Sequence, residues 1–381
     1  MLAEIERRCD NVRFLYWFGA VKGRTDLAKN SIQTKGKRKQ LAPLGILFAL
    51  IGLVLFAYFV RKAGLSQIAA GISRLGAGFL LIIAISAIRH VVRALAWTKC
   101  FEPPYRLSFK DAFAARLMGD ALGNIVPFVS MAVSEPSKAM FARHRVPLMA
   151  GLSAIALENI FYSLSVVLFI FSGTMALLLS FPLPAPLRYA SFGALVISAS
   201  IAPLGYLVIY KQWKFLSGVL AFLKRRGIAG SWAEKMIPRA QTLEDRIYGF
   251  YARNRRLFLP IFALELCFHL AGVAEIYTTL SFISDVFAPT LLAAFILESV
   301  NRIIIVVFKF IPFRLGVDEG GSGMVAAVLG LTKTVGVTLA IIRKSRDIFW
   351  TAVGVVLMVR RGLSPVDILR EEEPAAGEVA G

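Results

Sequence analysis

Twice in this chain an apolar stretch breaks at Pro-Phe and then reaches a glutamate. Pro127-Phe128 precedes Glu135, and Pro312-Phe313 precedes Glu319. Helix breakers and carboxylates are costly in hydrocarbon and persist there where they line a cavity enclosed by protein. Each copy is followed by a similar tetrapeptide, Asn159-Ile160-Phe161-Tyr162 and Asp347-Ile348-Phe349-Trp350. Two matched copies predict a transporter-like body of two related halves around one polar cavity.

The setting of these motifs is a bilayer. Of 381 residues 57% are hydrophobic, at a mean hydropathy of +0.66, and the apolar runs approach the ~20 residues that cross a hydrocarbon core. The short alternating segments of a membrane β-barrel do not occur. The expected fold class is therefore an all-α polytopic integral membrane protein with inverted repeats. Six full spans are predicted, at Pro43–Val60, Gly76–Thr98, Leu148–Phe171, Tyr189–Tyr210, Leu257–Ile283 and Thr338–Val359. Two re-entrant hairpins start at Ser108–Phe128 and Val286–Phe313; if their longer arms cross, the count becomes about eight transmembrane helices. Gly76–Thr98 then pairs with Leu257–Ile283, Ser108–Phe128 with Val286–Phe313, and Leu148–Phe171 with Thr338–Val359. Asn124, Pro127, Pro312, Gly316 and Gly320 are the expected hairpin residues, glycine because it permits tight turns and close helix approach.

The net charge of +20 matters through its placement. Residues 1–42 hold ten Lys/Arg against four acids, and residues 211–257 hold eleven against three, while 173–187 and 284–289 hold none of either cation. By the positive-inside rule both basic stretches, and with them both termini, are cytoplasmic. The expected organisation is a basic N-terminal segment 1–42, a first membrane half 43–210, a basic cytoplasmic loop 211–257 that is partly amphipathic helix, a second membrane half 258–360 and an acidic disordered tail 361–381. The basic stretches suit anionic lipid headgroups. They lack the folded motif that nucleic-acid binding needs. No signal peptide is expected, because the first long apolar run starts at Pro43. Cys9, Cys100 and Cys267, like His90, His144 and His269, are too scattered for a metal site, so neither metal nor cofactor is expected. Walker, nucleophile-elbow and zinc-protease motifs are absent from the sequence.

Charges inside the apolar runs are the candidate binding residues, since each costs roughly 3 kcal/mol at the bilayer centre on insertion scales. Glu298 and Arg302 stand four apart in the favourable order for a helical ion pair. Arg89 and Arg93 are also four apart and repel unless an acid or anion sits between them. Glu135, Glu158 and Glu319 are candidate carboxylates, able in principle to take up and release a proton. Glu265 and His269 form a possible second relay. Lys138, Arg302, Arg314, Arg343 and Arg346, with Asp347 as counter-charge, make a cationic lining suited to a phosphate headgroup, where arginine offers bidentate contacts. Internal ion pairing and snorkelling are the alternatives for each residue singly.

The two motif regions resemble those of the lysylphosphatidylglycerol synthase transmembrane family, also called the flippase-like domain family. The first reads Pro127…Ser134-Glu135-Pro136-Ser137-Lys138, preceded by Asn124; the second reads Pro312-Phe313-Arg314-Leu315-Gly316-Val317-Asp318-Glu319-Gly320. Ser134 stands where the family usually has Gly, and Lys138 where it has Arg. The resemblance covers roughly residues 43–360. It implies a stand-alone flippase-like module without the aminoacyl-transferase domain of full-length synthases, hence no lysine transfer. The expected function is translocation of an anionic or glycosylated lipid headgroup across the cytoplasmic membrane. Anionic phospholipid, polyprenyl-phosphate sugar and hopanoid-type lipid remain open as partners, and so does the oligomeric state. A lipid-modifying transferase and a non-transporting accessory protein of envelope lipid synthesis are the other two function classes.

Overall fold

A computed structural model describes residues 65–125, 130–227, 230–284, 288–308, 314 and 316–361. All of them fall in one unit, Val54–Gly362. The predicted span Pro43–Val60, both Pro-Phe breaks and the acidic tail beyond residue 361 lie outside the described residues. Every described element is helical. The order is α1 (Leu65–Leu75), α2 (Gly78–Lys99), α3 (Phe109–Ile125), α4 (Ser130–Phe141), α5 (Leu148–Ser180), α6 (Ala185–Tyr210), α7 (Phe215–Arg225), α8 (Gly230–Arg253), α9 (Arg255–Ile283), α10 (Leu291–Val307), α11 (Val317–Val328) and α12 (Lys333–Arg360).

Four of these helices, α2, α5, α6 and α9, are long and apolar enough to cross a membrane, α6 through its Ala185–Gly205 portion. A membrane leaves their backbones no partner but themselves, which is why such runs fold as helices. The other predicted crossings differ for physical reasons. The helices α3 and α10 have 17 residues each, about 26 Å at 1.5 Å per residue and short of a ~30 Å core. The 28-residue α12 is long enough, but its middle carries Arg343, Lys344, Arg346 and Asp347. Between α11 and α12 the chain turns where Gly330 takes φ +81°.

Two halves are visible in the packing. Helices α2–α5 form one set and α9–α12 the other. A 17-residue helix followed by one of 12 residues occurs in both, as α3–α4 and as α10–α11. Each packed pair in one half has its counterpart: α2 on α3 and α9 on α10, α4 on α5 and α11 on α12, α3 on α12 and α10 on α5. The related helices α2 and α9 pack on each other. They run antiparallel, since a side chain at Gly78 would meet Phe282 while Arg93, near the other end of α2, faces Glu265 near the start of α9.

The ends of the bundle are equally distinct. At one end Glu102 accepts hydrogen bonds from Arg253 (2.9 and 3.1 Å) and Asn254 (2.8 Å). These bonds hold the exposed Arg253 guanidinium above its ordinary pKa. At the same end Asp111, in the first turn of α3, pairs with Arg145 just beyond α4 (3.2 Å). The α3–α4 hairpin thus returns to the end from which it starts. At the opposite end an apolar cluster gathers Leu75, Leu177, Ile283, Ala294, Val325 and Leu339. That cluster joins the start of α10 to the end of α11, so the second hairpin starts from and returns to this end. Thr290 and Thr332 cap α10 and α12 by accepting from the Ala293 and Val335 amides (3.1 and 3.2 Å).

Residues 211–257, expected as a loop with some helix, are mostly α7 and α8. Glu244 of α8 receives the Leu216 and Ser217 amides at the start of α7 (2.7 and 3.2 Å) and the Ser217 hydroxyl (2.6 Å). A carboxylate there satisfies amide donors that the first turn of a helix leaves free.

Close approach of α12 to its neighbours depends on two glycines. A Cβ at Gly336 would lie 2.3 Å from the Ser322 carbonyl oxygen, and one at Gly354 would lie 2.4 Å from that of Leu117. Gly336→Ala and Gly354→Ala should each lower thermal stability in detergent, at an overpacking cost of about 1–3 kcal/mol. Gly193→Ala, with open space at its Cβ, should not. Equal melting behaviour of all three would contradict the packing described.

Candidate functional site

Charged side chains from both halves meet inside the bundle in two clusters. In the second-half cluster they alternate in sign along one chain. Asp318 holds Arg314 (3.1 Å), which reaches Asp347 (3.2 Å); Asp347 also takes Arg346 (2.7 Å), which pairs with Glu275. Glu275 binds Arg89 (3.2 Å), Arg89 lies 3.7 Å from Glu298, and Glu298 pairs with Arg302. The chain passes from α11 through α12, α9 and α2 to α10. Beside it Lys344 pairs with Glu319, and the Glu319 carboxylate also accepts the Gly316 amide (2.9 Å).

The first-half cluster is built from α2 to α5 and α9. Arg93 binds Glu158 (2.7 Å) and lies 3.6 Å from Glu265, and Arg116 reaches Glu158 at 3.1 Å. Lys138 bridges Asp120 and Glu135, both at 2.8 Å. Asn159 joins the two groups, accepting from Arg93 (3.2 Å) and donating to Glu135 (2.8 Å). The like charges Arg89 and Arg93 are thus separated onto different acids. The Phe268 ring sits among three guanidiniums, with Arg89, Arg302 and Arg93 at 4.5, 4.9 and 5.7 Å from its centroid, an arrangement that ring electrostatics favour.

Counting charges within each cluster gives opposite remainders. In the second, Arg89, Arg302, Arg314, Arg346 and Lys344 are matched by Glu275, Glu298, Asp318, Asp347 and Glu319. Arg343 is left over. It is only 3% exposed and donates to Ser322, while its Nε and Nη1 have no hydrogen-bond partner. Among the described residues no carboxylate lies within ion-pair distance of it. In the first, Arg93, Arg116 and Lys138 face four acids, Asp120, Glu135, Glu158 and Glu265. That leaves one carboxylate over.

Several sequence expectations need correction. Glu135 lies in the middle of α4 and Glu319 in the first turn of α11. The tetrapeptide match is shifted by about one helical turn. Asn159 and Lys344 are the structural counterparts, each holding the glutamate of its own hairpin, whereas Asp347 pairs with Arg314 and Arg346. His269 does not relay to Glu265; its Nε2 lies 3.1 Å from the Ser165 hydroxyl and its ring stacks on Phe169. Gly316 needs its glycine at φ +85°, but a Cβ at Gly320 would meet open space. Asn124 donates to Thr351 of α12 (2.9 Å). Arg116, Asp120 and Glu275 were not singled out from sequence. The four-residue spacing of Arg116 and Asp120, the sign-reversed image of Glu298 and Arg302, was the available signal.

A cavity of about 990 Å³ lies against the first-half cluster, lined by Asn159, Phe161, Ile201, Tyr251, Arg255 and Leu259 among others. Its walls are mainly apolar, and Asn159 connects it to the buried charges.

The chain matches the family described as lysylphosphatidylglycerol synthase TM region over residues 44–354. No curated protein sequence and no solved structure matches it.

Removing one partner of a buried ion pair leaves the other uncompensated, at about 3–5 kcal/mol. Glu298→Gln should therefore strongly destabilise the protein by stranding Arg302 and weakening the hold on Arg89. Glu298→Gln combined with Arg302→Gln should recover part of the loss. Unfolding in mixed micelles measures both, and additive losses would contradict the pairing.

Proposed function

The chain belongs to the lysylphosphatidylglycerol synthase transmembrane-region family, multi-pass membrane proteins that act on membrane lipids, and from that premise we propose that it translocates an anionic lipid headgroup. The observation that carries this reading is Arg343, a buried guanidinium with two donor nitrogens that have no hydrogen-bond partner and, among the described residues, no carboxylate within ion-pair distance. A buried charge is normally paired or neutralised, and a phosphate offers arginine the bidentate partner it lacks. Arg314 and Arg346 share Asp347 beside it and can exchange that carboxylate for a phosphate oxygen. Arg302, held by Glu298, shapes the far wall. In the first half Glu135, Lys138 and Glu158 form the matching surface. The headgroup crosses between the two clusters while its tails stay in the bilayer, with the apolar cavity beside Asn159 as a resting place for an acyl chain.

In this reading α3–α4 and α10–α11 are re-entrant hairpins entering from opposite faces of the cytoplasmic membrane. The basic segments 1–42 and 211–257 and both termini are cytoplasmic, and 43–210 and 258–360 are the two membrane halves. The helix lengths, the mirrored packing and the charge of these segments support that arrangement.

A ligand-binding arginine and a structural one respond in opposite ways to replacement. Arg343→Met removes an uncompensated buried charge, so without anionic lipid its thermal stability should equal or exceed that of wild type. Flipping of a fluorescent phosphatidylglycerol analogue in reconstituted vesicles should fall at least tenfold, about 1.4 kcal/mol. Arg225→Met on α7 serves as the control. A destabilised Arg343→Met that flips at the wild-type rate would sink the assignment.

A further inference from the structure

Glu158 and Glu265 are both fully buried and close on one nitrogen. Arg93 Nε lies 2.7 Å from Glu158 Oε1 and 3.6 Å from Glu265 Oε2. Three of their four oxygens, Glu158 Oε2 and both of Glu265, have no hydrogen-bond partner. Two ionised carboxylates at such a site repel, and like charges sharing one position favour retention of a proton by one of them. Among the described residues, only Arg93 and Arg116 lie within ion-pair distance of the pair. From α2 come Arg93 and Cys100, and from α3 Arg116, already 3.1 Å from Glu158. Lys138 of α4 is taken by Asp120 and Glu135, while α5 adds Tyr162, whose ring lies under Arg93. On α9 His269 turns to Ser165. His90 stands 4.0 Å from Asp120.

Resting on the translocation reading, we propose that the Glu158–Glu265 pair binds one proton, shared between the two carboxylates, and that this proton travels with the anionic headgroup. The proton comes from water reaching Asp120 and Glu135, whose side chains are 34% and 22% exposed, and it returns to water after translocation. One proton cancels the surplus acid of the first cluster, as one phosphodiester cancels the surplus Arg343 of the second. With both bound, each cluster is neutral and the loaded protein moves no net charge.

The test is infrared spectroscopy of the protein in phosphatidylcholine vesicles at neutral pH. A protonated-carboxyl band that shifts in deuterated water should be present in wild type. It should be lost in Glu265→Gln and also in Glu158→Gln, because each leaves a single carboxylate that ionises beside Arg93, and it should survive in Glu135→Gln. Absence of the band from wild type, or its survival in both pair variants, overturns the proton site. In a second arm, an imposed pH gradient should change flipping of a phosphatidylglycerol analogue several-fold in wild type and leave Glu265→Gln indifferent. A rate indifferent to the gradient in wild type overturns the coupling. The expected bands without any flipping would instead overturn the translocation reading and leave the proton site standing.

Discussion

Compensation of buried charge is the constraint on which the rest of this structure depends. An unpaired ion at mid-membrane costs roughly 3 kcal/mol or more, and this bundle encloses about a dozen. The alternating run from Asp318 to Arg302 compensates the larger share of the second cluster. It can exist only because helices from both halves meet. Glu275 of α9 sits between Arg89 of α2 and Arg346 of α12, so Arg89 of the first half finds its carboxylates in the second. The antiparallel α2–α9 seam is therefore electrostatic as well as apolar.

The same constraint explains why repeats with a common backbone plan carry different chemistry. The lengths of the short helices and the helix pairs are mirrored between the halves, yet the side chains at matched places are not. Where the first hairpin uses Asn159 to hold Glu135, the second uses Lys344 to hold Glu319. Where α3 spaces Arg116 and Asp120, α10 spaces Glu298 and Arg302. Two clusters of opposite residual charge result. An anion and a proton are the simplest pair of passengers that would neutralise both.

Much of this was legible in the sequence. Apolar runs located the four helices long and apolar enough to cross a membrane to within a few residues, apart from the far end of α5. The doubled Pro-Phe…Glu pattern falls at the two short helix pairs, α3–α4 and α10–α11, and the spacing of Glu298 and Arg302 gave their ion pair. Partner choice was not legible wherever it crosses between helices distant in the chain. Arg89 with Glu275 and Arg93 with Glu158 depend on the seam, which no local spacing encodes. Matching by residue letters also misled. Asn159 and Asp347 look alike in their tetrapeptides, but the register is set by Gly151 approaching Ala139 and Gly336 approaching Ser322, which places Asn159 opposite Lys344. Arg343 looked like one cation among several, and only the pairing of its neighbours left it without a carboxylate.

The central claim is that the second cluster holds the phosphate of an anionic lipid. Native mass spectrometry of the detergent-solubilised protein, with identification of the lipids released from it, tests that claim most directly. The account predicts a phosphate-bearing anionic lipid retained by each wild-type chain and displaced when the protein is exchanged into excess phosphatidylglycerol. Wild-type chains that retain only neutral or zwitterionic lipid, or none, would contradict it.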